Sequence, residues 1–145
     1  MTATAAPWHT RKRAKNLKNF VGLIRLLYPF AGHHEAALTV YTREAFPQNW
    51  AKAQSNLGVA YRKRIKGSRA DNIEAAIKAY EAALTVFTRE TFPQNWAMTQ
   101  HNLGSAYNDR IQGSRADNTE AAIKAYEATL TVYTREDFPQ DWAMR

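Results

Sequence analysis

The side chains that could perform chemistry in this chain are few and scattered. The sequence has no cysteine, which excludes a disulfide, a thiolate metal site and a cysteine nucleophile. His33, His34 and Glu35 are adjacent and could suggest a metal site, but neighbouring side chains on a helix point about 100° apart. No Gly-rich phosphate loop, Ser-His-Asp arrangement or pair of carboxylates for acid–base chemistry is evident. We therefore expect neither an enzyme nor a metal or cofactor site.

Positive charge is concentrated at the N-terminus. The net charge is +7, and residues 1–34 hold six cations and no acid, which leaves 14 Lys/Arg against 13 Asp/Glu in the rest. Such an arm could bind nucleic acid, but the near-neutral remainder disfavours that function. The arm leads into an apolar stretch, residues 20–28, in the order of a secretion signal. Arg25 interrupts this stretch, which is also shorter than the roughly 20 apolar residues of a membrane span, so we predict a capping helix there.

A 46-residue repeat dominates the rest of the chain. The motif Phe-Pro-Gln-Asn/Asp-Trp begins at residues 46, 92 and 138. Residues 46–91 and 92–137 are identical at 35 of 46 positions, a similarity that chance does not produce. Repetition on this scale is typical of proteins built by stacking one supersecondary unit.

The first half of each unit predicts a helix, here called helix A. Pro47 and Pro93 suit its first turn, where no amide donor is needed. Gly67 and Gly113 are expected as left-handed caps at its C-terminus. Its apolar stripe comprises Trp50, Leu57, Tyr61 and Ile65.

The second half of each unit predicts another helix, helix B. Asp71-x-x-Glu74 and Asp117-x-x-Glu120 are similar to capping boxes with Asp in place of Ser or Thr, and we expect helix B to run to about Glu90. Its core-facing side comprises Ala76, Tyr80, Ala83, Leu84 and Phe87.

Helix A carries Leu57-Gly58-x-x-Tyr61 and Leu103-Gly104-x-x-Tyr107, and helix B carries Ala76, Tyr80, Ala83, Ala122 and Tyr126. These patterns resemble tetratricopeptide repeats, which carry Leu-Gly and an aromatic residue on helix A and Ala, aromatic and Ala on helix B. Two features depart from that family: Thr129 replaces the last Ala, and the unit is about 12 residues longer than the usual 34. Long units of this kind resemble those of kinesin light chain and bacterial scaffold proteins. The resemblance implies an all-α, right-handed α-solenoid of antiparallel helix hairpins that binds other proteins.

The chain divides into a basic, non-repeat segment, residues 1–34, and an array, residues 35–145. The segment is either a cap or a foreign reading frame joined to the array. Two complete hairpins are fewer than the about three repeats that solenoids usually need, so we expect a fragment of a larger signalling protein, with an exposed apolar end that favours end-to-end association. The array comprises a half-unit (35–45), full units 46–91 and 92–137, and a truncated helix A (138–145).

Most positions that differ between the two full units lie on one face of helix A, whereas helix B differs at few. In tetratricopeptide architecture this face lines the concave groove, so our hypothesis is that the groove varies to suit a ligand; neutral drift on a solvated face is the alternative. The candidate groove residues are Lys52, Ser55, Asn56, Val59, Arg62, Lys63 and Lys66 in the first unit and Met98, His101, Asn102, Ser105, Asn108, Asp109 and Gln112 in the second.

The charges in this groove indicate the kind of ligand. Four cations in the first unit favour an extended acidic peptide, which the second unit would tolerate. In peptide-binding members of the family, an asparagine at the position of Asn56 and Asn102 often binds the ligand backbone. We predict a cytoplasmic protein- or peptide-binding scaffold of bacterial type with no membrane partner. The alternative is a nucleic-acid or anionic-surface binder that uses the basic arm and the first groove helix.

Overall fold

A computed structural model describes residues 32–134 of the chain. The predicted capping helix before residue 32 and the truncated helix A at 138–145 lie outside the described residues. Within them the chain forms only helices, with no strand. The five helices are α1 (Gly32–Val40), α2 (Pro47–Lys63), α3 (Arg69–Leu84), α4 (Pro93–Asp109) and α5 (Arg115–Leu130).

Each helix packs against the next in the chain, and α2 also contacts α4. The start of α2 lies in one cluster with the end of α3, through Ala51 and Ala83, while the end of α2 meets the start of α3, where Arg69 donates to the carbonyl of Arg62. Helices α2 and α3 are therefore antiparallel, as predicted. The second hairpin, α4 and α5, has helices of the same lengths as the first, 17 and 16 residues.

Helices α2 and α4 begin at proline, as predicted. Pro47 and Pro93 occupy the first turn, where their missing amide hydrogen leaves no bond unmade. The residues before them, Phe46 and Phe92, cap these helices without any side-chain hydrogen bond.

The N-terminal caps of α3 and α5 differ from the prediction. The cap of α3 is Ser68, whose Oγ accepts a hydrogen bond from the amide of Asp71 at 3.3 Å, and Ser114 accepts from Asp117 at 3.4 Å in α5. The proposed boxes starting at Asp71 and Asp117 were therefore wrong, because these residues lie inside the first helical turn. An acidic side chain there stabilises the helix through its interaction with the positive end of the helix dipole.

Helix A also ends earlier than predicted, before the loop that leads to helix B. Gly67 and Gly113 have φ values of 90° and 81°, which confirms the left-handed conformation. They are not the helix caps, however, since α2 and α4 end at Lys63 and Asp109. The exposed fraction of Ile65 is 98%, so its place in the apolar stripe was wrong.

Helix B is shorter than predicted. It ends at Leu84 rather than near Glu90, and the Thr85 hydroxyl then donates to the carbonyl of Ala82 at 2.6 Å. The turn that follows places Phe87 in the core with only 2% of its surface exposed. The core position of Phe87 was predicted correctly, but the chain reaches it by leaving the helix.

Small and aromatic residues alternate in the core between the helices. A Cβ atom added to Gly58 would lie 2.5 Å from the ring of the fully buried Tyr80. Only glycine lets α2 and α3 approach this closely, and Gly104 serves Tyr126 in the same way. Ile73, Ala76 and Tyr80 continue the core towards Leu103 and Ala106 of the next hairpin.

Candidate functional site

A small concavity lies between the two A helices, α2 and α4. Its volume is about 130 Å³, which is room for about one side chain. The Oγ atoms of Ser55 and Thr99 lie 3.5 Å apart at its wall. Four of the predicted groove residues therefore lie together here, namely Lys52, Ser55, Asn56 and Met98, and the remaining lining residues are Phe87, Asn95 and Thr99.

Lys52 and Asn56 line this concavity, and Asn102 is a further predicted groove residue on α4. Lys52 and Asn56 are exposed, and Asn102 is half-buried. Within the described part of the chain, neither side-chain amide has a hydrogen-bond partner in the protein, and the Lys52 ammonium has no ion pair. These groups are thus available to a ligand, whereas Met98, with 57% of its surface exposed, offers an apolar contact.

The groove has fewer unpaired cations than the sequence indicated. Arg62 Nε lies 2.9 Å from Asp109 Oδ2, and Arg69 Nη2 lies 3.4 Å from the same oxygen. This ion pair joins α2 to α4, so it braces the two A helices and neutralises the charge of Arg62. Lys63 and Lys66 are exposed, and they have no carboxylate partner among residues 32–134.

Three predicted groove residues contact the core or helix B instead of an open surface. Val59 packs against the core cluster, and Ser105, its counterpart in the second hairpin, accepts a hydrogen bond from the Tyr126 hydroxyl at 3.1 Å. The His101 ring lies 5.4 Å from the Tyr126 ring, measured between centroids. The differences at these positions thus affect how each hairpin packs.

The first unit has Val59 where the second has Ser105, and this difference affects the hydroxyl of Tyr80. The Tyr80 hydroxyl is buried without a hydrogen-bond partner, whereas its counterpart Tyr126 donates to Ser105. Burial raises the pKa of Tyr80 to about 12, because the charged phenolate would be poorly solvated.

The remaining candidates lie at the end of helix A and in the following loop. Asn108 is exposed, and its carbonyl accepts a hydrogen bond from Arg115 Nη1 at 2.9 Å. The carbonyls of Lys66 and Gln112 accept hydrogen bonds from the buried Asn72 and Asn118, at 3.0 and 2.8 Å. Their own side chains are exposed.

A second, more open depression adjoins the first and was missed. It has a volume of about 310 Å³ and surrounds the start of α4, and Asn95 lines both concavities. Its lining residues within the repeat motif are identical in the two units, so a search for differences between units could not find it. The lining residues are Gln48, Thr91, Phe92, Pro93, Gln94 and Asn95.

Three side-chain hydrogen bonds join α3 to the end of α4. Tyr107 donates its hydroxyl to Glu81 at 3.1 Å, and Arg110 donates to both carboxylate oxygens of Glu74 at 2.6 and 3.0 Å. The guanidinium of Arg110 lowers the pKa of Glu74, and burial together with Glu81 raises the pKa of Tyr107. The tyrosine contact repeats one unit earlier, where Tyr61 donates to Glu35 at 2.9 Å.

No family model, curated protein or solved structure matches this chain. Within residues 32–134, no group of three His, Asp or Glu residues is placed to hold a metal ion. None of the helices in this part of the chain has the length and apolar character required to cross a membrane.

Proposed function

We propose that this chain is a protein- or peptide-binding scaffold of the tetratricopeptide type, with its hairpins arranged as a right-handed solenoid. The observation that carries the proposal is the concavity between α2 and α4. It brings together Lys52 and Asn56 of the first unit and Met98 of the second. The Lys52 ammonium and the Asn56 amide have no partner within the described residues.

The ligand that best fits this surface is an extended peptide with an acidic side chain next to an apolar one. The carboxylate would pair with Lys52, and the amides of Asn56, Asn95 and Asn102 would bind peptide groups of the backbone. Arg62 is already paired with Asp109, so Lys52 is the cation of the concavity that would bind the acidic side chain. An exposed ion pair contributes only up to about 1 kcal/mol, so the amides and Met98 must supply much of the affinity.

A random peptide library displayed on phage tests this proposal. We expect selection on the full chain to enrich peptides that contain Asp or Glu. The best of them should bind Lys52→Ala about fivefold more weakly, as measured by fluorescence anisotropy. Lys78→Ala, which removes an exposed lysine from α3 instead, is the matched control and should bind normally.

The asparagine contacts are tested with the same peptide. Replacing both Asn56 and Asn102 by Ala should weaken binding by about thirtyfold, since each of the two lost hydrogen bonds contributes about 1 kcal/mol. Unchanged affinity would remove the backbone contact from the proposal, and a failure to select any peptide would overturn the binding function.

The second candidate is a nucleic-acid or anionic-surface binder. The exposed cations Lys52, Lys63, Arg64 and Lys66 favour this function. The second hairpin does not repeat them all, because Met98 stands at the position of Lys52 and the paired Asp109 at that of Lys63. This function predicts affinity for double-stranded DNA that falls steeply with salt. We expect no such binding at physiological salt.

A further inference from the structure

The outer side of α3 is covered by α4 through an apolar centre and flanking polar bonds. Ile77 is 5% exposed and lies in a cluster with Leu103 and Ala106 of α4. Polar bonds flank this apolar centre on both sides: Glu74 receives the bidentate contact from Arg110, and Glu81 receives the Tyr107 hydroxyl.

The same side of α5 carries the corresponding residues, but no helix among residues 32–134 covers it. Ile123, the counterpart of Ile77, is 44% exposed, and Leu130 is 42% exposed. Glu120 and Glu127 correspond to Glu74 and Glu81, and both side chains are exposed. Their carboxylates have no hydrogen bond or ion pair to any described residue. The α5 outer face therefore presents carboxylates beside exposed apolar surface.

The other end of the chain carries the complementary residues. The four residues in and just after α4 that contact α3 are Leu103, Ala106, Tyr107 and Arg110. Their identical counterparts in and just after α2 are Leu57, Ala60, Tyr61 and Arg64. Tyr61 bonds to Glu35 of α1. The positions that match Glu74 and Ile77 are residues 28 and 31, which are tyrosine and alanine. Arg64 is exposed and lacks a carboxylate partner in the described part of the chain.

We propose that the α5 outer face of one copy docks on α2 of a second copy, in place of α1. Glu120 then pairs with Arg64, Glu127 replaces Glu35 as the acceptor for Tyr61, and Ile123 packs against Leu57. The exchange restores the same kind of tyrosine–glutamate bond that it breaks. It also adds the ion pair between Glu120 and Arg64, and it covers the exposed Ile123.

This contact joins two different surfaces, so it propagates head to tail and forms open chains unless the rotation closes a ring. The junction is weaker than the one between α3 and α4, because Thr119 replaces the fully buried Ile73 and because α1 must be displaced. We therefore expect reversible association that depends on concentration.

Two full-chain variants, each blocked at one end, test the proposal. Arg64→Glu blocks the α2 end and leaves α5 intact, and Ile123→Glu blocks the α5 outer face and leaves α2 intact. Ile111→Glu changes an isoleucine with 62% exposure in the loop between α4 and α5 and is the matched control. Mass would be measured by sedimentation velocity from micromolar to millimolar concentration, with circular dichroism to verify that each variant folds.

The wild type and Ile111→Glu should show an average mass that rises with concentration above the 16.5 kDa of one chain. Each blocked variant alone should associate at least tenfold more weakly. Their equimolar mixture should form a dimer and nothing larger, because one intact junction remains and both outer ends are blocked. A wild type that stays monomeric at millimolar concentration, a mixture that stays monomeric, or a dimer that persists in either blocked variant would each overturn the proposal.

Discussion

Tyr80 and Tyr126 occupy corresponding positions in the two hairpins but differ in one bond. Tyr126 donates its hydroxyl to Ser105, whereas Val59 leaves the hydroxyl of Tyr80 buried and without an acceptor. A buried polar group without a partner loses its hydration and regains nothing, so the same side chain can stabilise one hairpin and weaken the other.

We therefore expect removal of the two hydroxyls to affect stability differently. Tyr80→Phe removes the unpaired hydroxyl and should leave the free energy of unfolding unchanged or raise it by about 1 kcal/mol. Tyr126→Phe removes a satisfied hydroxyl and should lower it by about 1 kcal/mol. Urea denaturation of the two variants beside the wild type measures both effects. Equal destabilisation by the two substitutions would contradict the assignment of the Tyr80 hydroxyl as unpaired.

At the scale of the helices, sequence patterns located the starts better than the ends. Pro47 and Pro93 were recognised because proline fits only the first turn. The end of α3 was misplaced, since nothing local prevents a helix from running to Glu90. The chain leaves the helix at Leu84 in an arrangement that buries Phe87, which is a tertiary requirement.

The cap of α3 provides a prediction at this scale. Ser68→Ala should lower the free energy of unfolding by about 1 kcal/mol, because the amide of Asp71 loses its acceptor. Asp71→Ala should cost less, about 0.3–0.5 kcal/mol, since its side chain interacts only with the helix dipole. Thermal or urea unfolding compares them, and Ser114→Ala repeats the test in α5. A larger effect at Asp71 than at Ser68 would favour the original capping interpretation.

At the scale of the whole molecule, side-chain bonds between α3 and the end of α4 join the two hairpins. The bond between Glu74 and Arg110 connects them across a sequence separation of 36 residues. Because the pKa of Glu74 is lowered in the folded chain, the unfolded chain binds more protons at acidic pH. The stability from this bond is therefore fully present above the unfolded pKa, about 4.5, and is lost as the pH falls through the lower folded value.

The pH dependence of unfolding tests this coupling. At pH 7, Glu74→Gln should be less stable than the wild type by about 1 kcal/mol, a modest value because both side chains are partly exposed. The difference should shrink as the pH falls below 4.5 and vanish in strong acid. Glu120→Gln changes the corresponding carboxylate on the α5 outer face, which has no partner among residues 32–134. At low protein concentration this control should match the wild type at every pH.

The candidate site was predicted in part. Lys52, Ser55, Asn56 and Met98 lie together as expected, because equivalent faces of α2 and α4 are adjacent in space. Arg62 and Asp109 were predicted as ligand contacts, but they pair with each other. Differences between the units do not indicate the depression at the start of α4, because its lining residues within the repeat motif are the same in both units.

The sequence by itself determined the 46-residue unit, the two-helix content of each unit and the small and aromatic residues of the core. These features follow from local spacing, since the period of a helix decides which side chains share a face. Only the tertiary structure decided which polar groups are free. The bonds from Arg62 to Asp109, from Tyr126 to Ser105 and from Arg110 to Glu74 all cross between helices. Their formation depends on how closely the helices pack, and that distance is determined by the whole core rather than by any single segment.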